Sequence, residues 1–174
     1  MSPDLEKVRS EAEKLTRHFE PEDWHSAYEG KWSASQTMEH LLLTFTATTK
    51  GMVKMMQLGE PYCREKTWKD AARKFYVLRL GLVPSGLKAS KNIAPTEGLP
   101  ANNLRSFNDA LVAMNAILND VERRFGKPAR VLDHPMLGPL TAEEWRRFHR
   151  VHAEHHFRQI AARRGAPVRM KVPA

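Results

Sequence analysis

Four histidines fall within eight positions of the stretch FHRVHAEHHFRQI, residues 148–160: His149, His152, His155 and His156. A neutral imidazole can share a hydrogen bond or ligate a metal, so the direction each ring takes decides its chemistry. On a helical wheel at about 100° per residue, Arg146, Arg147, Arg150, Glu154 and Arg158 gather on one side. Trp145, Phe148, His152, His156 and Gln159 gather on the other, with His149 at one margin and His155 at the opposite one. A stripe that should read Leu or Ile reads His and Gln. Inward imidazoles are costly: charged they are desolvated, and neutral they still need a hydrogen-bond partner or a metal.

His152 and His156 stand four residues apart, which brings both rings over one spot, as in helical zinc sites. The competing reading is a hydrogen-bonded polar core. His149 and His156 are separated by about 10.5 Å of helical rise, so a third ligand should come from a neighbouring helix. His40, in the apolar run MEHLLL, is the first candidate. His18, His25 and His134 are weaker ones, and His155 reads as a packing or interface residue. Three neutral imidazoles leave a divalent ion its full charge, so that it lowers the pKa of bound water or holds a thiol as thiolate. Such a set suits zinc, nickel, iron or copper and does not choose between them, and zinc or nickel is the expectation. Gln159, Glu39 and His149 are within reach to orient the rings. The lone cysteine, Cys63, has Arg64 and Lys66 beside it to lower its pKa, and still reads as incidental.

The elements that must position these residues are helical. Leu5, Val8, Ala12, Leu15 and Phe19 form an amphipathic stripe ended before Pro21. A loop rich in aromatics and charge follows. Ser33 and Gln36 then form a capping box that opens a second helix over roughly 34–57. A short helical piece at 67–81 interrupts a long connection, 58–102, rich in Pro, Gly, Ser and Asn. A third stripe runs from Leu104 to Phe125, stopped by Gly126 and Pro128. Thr141 and Glu144 form another capping box, launching a fourth helix to about Arg164. Nothing reads as a strand. The economical architecture is an all-α four-helix bundle with one long crossover, in a single domain over 1–174.

The totals fit that reading. The chain has 174 residues, 41% hydrophobic and 28% charged, ordinary values for a globular domain. One cysteine excludes an intramolecular disulfide, the charged start shows no secretory signal, and the run LLLTFTA is far too short to span a membrane. A cytoplasmic location, with no membrane partner, is the expectation. A net charge of +8 favours anionic partners: nucleic acid, phosphorylated metabolites or acidic thiol cofactors. Of these, nucleic acid is disfavoured, because no recognition motif is present and the aromatics fall on core stripes.

KWSASQTMEHLLLT and FHRVHAEHHFRQI together resemble the two metal-binding segments of the DinB-like family. The longer phrase HPMLGPLTAEEWRRFHRVHAEHHFRQI resembles a poorly characterised DinB-like branch. The resemblance covers most of the chain and implies a four-helix bundle, here with a long 58–102 insertion between the second and third long helices. It implies His40, His152 and His156 as facial ligands of a divalent ion, with open positions left to water. It further implies transfer of a low-molecular-weight thiol such as bacillithiol or mycothiol to an electrophile, with hydrolysis as the other activity, and a homodimer. The insertion departs from the family pattern. A non-catalytic bundle, with a polar or structural-metal histidine core, is the alternative.

Overall fold

A computed structural model describes residues 1–27, 30–61, 63–84, 86, 88–99 and 104–163. The first stripe folds as helix α1, Pro3–Thr16, with Leu5, Val8 and Ala12 fully buried. Pro21 at its first turn and reciprocal capping between Glu20 and Asp23 then start a short helix, α2, Pro21–His25, where the sequence reads as loop. Phe19 lies beyond α1 and packs edge-on against the buried Trp24, with ring centroids 5.4 Å apart.

The second long helix, α3, spans Ala34–Leu58. The expected capping box opens it: Ser33 Oγ accepts from Gln36 N–H, and Gln36 Oε1 accepts from Ser33 N–H, both at 3.1 Å. Met38, Leu41, Phe45, Met52 and Met55 are buried on it, and so are Thr37, His40, Thr44 and Thr48. Helix α4, Trp68–Lys74, continues as one π-helical turn over Phe75–Arg79. Helix α5, Arg105–Phe125, buries its whole stripe from Phe107 to Val121. Helix α6, Ala142–Arg163, is capped by Thr141 and Glu144 as their spacing predicts. Arg164 lies outside the described residues. Helix α3 packs most extensively against α5, and α1 against α6, while α6 also touches α3 and α5. Among the described residues no helix is long and apolar enough to cross a membrane.

The chain is mostly helical, as expected, but one strand pair corrects the strand-free reading. β1, Arg130–His134, pairs antiparallel with β2, Gly138–Thr141, with Leu132 opposite Leu140 and His134 opposite Gly138. Pro135 and Pro139 read as breakers, and four or five residues are too few for an alternation to show. The hairpin leads directly into α6, so it sets where the histidine helix begins.

The 58–102 connection is tied down at several points. Arg64 donates twice to Asp70, at 2.8 and 2.7 Å, and Lys74 pairs with Glu144 at 2.7 Å, fixing α4 to the start of α6. Farther on, a 3₁₀ turn at Lys91–Ile93 lies against α3. Glu39 accepts from Thr96 N–H at 3.0 Å and Gly98 N–H at 2.7 Å, and Leu99 N–H donates to Ser35 C=O at 3.2 Å. Pro100–Asn103 lie outside the described residues.

Candidate metal centre

His40 enters from α3, buried, one turn after the capping Gln36; His152 and His156 enter from α6. The structure brings the three together. One donor nitrogen from each lies within 4.8 Å of the others. His152 Nε2 is 3.0 Å from His156 Nε2 and 3.4 Å from His40 Nε2. The His152 ring stacks on Phe148 at 5.3 Å, and the Trp32 ring leans over His40 at 5.0 Å.

Proton accounting shows what the cluster asks for. His40 Nδ1–H donates to Ile93 C=O at 2.6 Å, and His156 Nδ1–H donates to Gln159 Oε1 at 2.9 Å. These bonds assign both tautomers, so both Nε2 lone pairs point inward. His152 has a single proton when neutral, and its Nδ1 is buried without a hydrogen-bond partner among the described residues. On Nε2 that proton reaches one neighbouring lone pair and strands the other; on Nδ1 it leaves three lone pairs facing one another. Neither arrangement satisfies the three rings, of which His40 is buried and His152 and His156 are half-buried. A cation taken by all three Nε2 atoms does, leaving over only the His152 Nδ1–H, so the donor set fits a divalent ion.

Electrostatics keeps the lone pairs available. Burial pushes the pKa of His156 down to about 3, with the nearby His40 adding to the effect. Burial also carries His152 well below the ordinary histidine value, helped by His156 and His40. His40 is lowered by burial as well, partly offset by its bond to Ile93. All three are neutral near pH 7.

The residues expected to orient the rings divide. Gln159 does so: its Oε1 fixes His156 while its amide donates to His155 Nε2 at 2.8 Å. That amide also accounts for His155, which lies at the margin as expected. Glu39 reaches the Thr96–Gly98 backbone instead, and so holds the loop that carries Ile93. His149 is fully buried and shares its Nε2 with Thr48 Oγ1 at 2.9 Å, packed between Phe45 and Trp145. It belongs to the core beside the site. His134 is on β1, where its Nδ1 accepts from Met136 and Leu137 N–H at 3.1 and 3.2 Å. Neither His18 nor His25 joins the three-nitrogen cluster. Burial and the adjacent Asp133 push the Cys63 thiol up to about 11, opposite to what Arg64 and Lys66 suggest in the sequence.

Ile93 is the contributor that side-chain reasoning misses, since a main-chain carbonyl leaves no mark in the sequence. Gly98 makes its approach possible. Its φ is +87°, and a Cβ there would press on Ser35 and lie 3.2 Å from the Gln36 nitrogen. Gly98→Ala should therefore lift the loop, lower the melting temperature by about 5 °C and weaken metal retention. Calorimetry with and without metal checks this, and an unchanged melt would remove the loop from the site's support.

In comparisons with known proteins, residues 2–163 match the family described as "Protein of unknown function (DUF1569)". Neither a curated protein nor a solved structure matches. With nearly the whole described chain covered, the protein belongs to the DUF1569 family.

Proposed function

We propose that this chain is a DinB-like four-helix bundle forming one domain, and that it acts as a metal-dependent enzyme through His40, His152 and His156. The observation that carries the reading is the proton shortfall among three converging Nε2 atoms from two helices. A divalent ion, zinc or nickel, supplies Lewis acidity there and lowers the pKa of a bound thiol or water. The residues of the chain supply the rest. Ile93 and Gln159 fix two rings, Phe148 supports the third, and burial keeps all of them neutral. The preferred reaction is thiol transfer: the S–H proton passes to solvent, sulfur forms a C–S bond to an electrophilic carbon, and the leaving group departs with its electron pair.

The net charge of +8 favours an anionic thiol, a small molecule, over a neutral one. The test incubates metal-loaded protein with a panel of low-molecular-weight thiols and chlorodinitrobenzene, following conjugate and chloride. Conjugation abolished by chelation is expected. Ester or amide hydrolysis without conjugation would move the assignment to a hydrolase. Bound metal with neither activity would leave a structural centre.

A further inference from the structure

Helix α4 and its π-helical turn are docked by their polar side. Asp70 is buried under Arg64, Lys74 is buried against Glu144, and Val77 and Leu78 complete the contact with the body of the protein. The aromatic side is left outside. Trp68 is 76% exposed, and Phe75, Tyr76, Leu80 and Leu82 are each at least half exposed. Trp68, Ala72, Phe75 and Tyr76 follow helical spacing, so the three exposed rings share one side, and Leu80 and Leu82 follow directly after the π-helical turn. This reverses the ordinary arrangement, in which a surface helix turns its apolar stripe inward. Large apolar side chains exposed together along one short segment, with the Phe75 and Tyr76 rings 6.1 Å apart, mark a contact site.

Charge narrows the choice of occupant. Lys66, Lys69, Arg79 and Lys88 are exposed along the same segment, whereas its acids from 64 to 91 are Glu65 and the ion-paired Asp70. A second copy of this chain would bring the same cations against them, because a two-fold contact sets like patches together. Aromatic and aliphatic side chains bordered by Lys and Arg match the boundary between anionic headgroups and acyl chains. We propose that this face docks on an anionic phospholipid surface, with Trp68, Phe75, Tyr76, Leu80 and Leu82 entering the boundary and the cations meeting phosphates. The contact is peripheral, as no described helix can span a bilayer. This departs from the expectation of no membrane partner, which rests on the lack of a spanning segment. The inference is independent of the metal centre.

The test sediments the full chain with large vesicles of phosphatidylcholine alone and of phosphatidylcholine with equal phosphatidylglycerol. Binding to the anionic vesicles only, weakened by salt, is expected. Lys69→Ala and Arg79→Ala should each weaken it about fivefold. The triple variant Trp68→Ser, Phe75→Ser, Tyr76→Ser should lose it while its circular dichroism and melting stay unchanged, since these side chains are exposed. No sedimentation at low salt would overturn the proposal. So would binding that survives the triple variant, which would reflect net charge alone. A dimer that the triple variant dissociates, in a chain that ignores vesicles, would assign the face to a second copy.

Discussion

If the three histidines hold a metal ion as proposed, His152→Ala is expected to empty the site without destabilising the metal-free fold. In protein purified without an affinity tag, the wild type should carry about one divalent ion per chain, and His152→Ala less than about a tenth of that. If three imidazoles share binding of the order seen at structural zinc sites, losing one costs about 3 kcal/mol, or more than a hundredfold in affinity. Gln159→Leu should cost less, about 10- to 100-fold, because it frees the His156 ring without removing a ligand. The stability arm separates metal site from polar core. In a hydrogen-bonded core, losing His152 destabilises the fold whether or not metal is present. At a metal site the unligated rings face one another with unmatched lone pairs, so the metal-free variant should melt no lower than the metal-free wild type. Metal should then raise the melting temperature of the wild type only. Elemental analysis and calorimetry on both proteins check this; a wild type that carries no metal and whose melting temperature does not rise when metal is added would establish the polar core.

What was legible in advance follows the range of the interaction. The capping boxes at Ser33–Gln36 and Thr141–Glu144 act over three residues, and both formed. The pairing of His152 with His156 is one helical turn, so it needed only the helix. Bringing His40 to them needed the further inference that an apolar run faces inward, and the ring does sit buried beside theirs. Orientation was less accessible. Glu39 adjoins His40 in sequence yet points to a loop nearly sixty residues away, because consecutive helical residues face different directions. His149 stood at the margin of the wheel and went to the core, where Thr48 waited for it on another helix. The inward placement of Asp70 and Lys74 ran against burial tendencies, and it is explained by partners the spacing did not announce: Arg64 and the capping Thr67 for Asp70, Glu144 for Lys74.

His149 in the core and the half-buried His134 beside it predict a steep loss of stability in mild acid. His149 is held down to about 3 by burial, with His134 nearby, and burial holds His134 down to about 4. In the unfolded chain both return toward about 6.5, so below that value the unfolded state binds more protons than the folded one. Stability is therefore fully present above about pH 6.5 and falls as pH drops toward the folded values. Carried to pH 4.5 the two groups together cost on the order of 5 kcal/mol, a large share of what a domain this size commands. The measurement belongs on metal-stripped protein, since protons also compete with a bound ion for the ligands. Urea midpoints should fall steadily from pH 7 to 4.5. His149→Gln can keep a hydrogen bond to Thr48 and cannot take up the proton, so it should flatten part of that slope. A midpoint indifferent to pH across the window would mean that His149 and His134 reach water in the folded state, and the packed layer of Phe45, Trp145 and Phe148 around them would then be open.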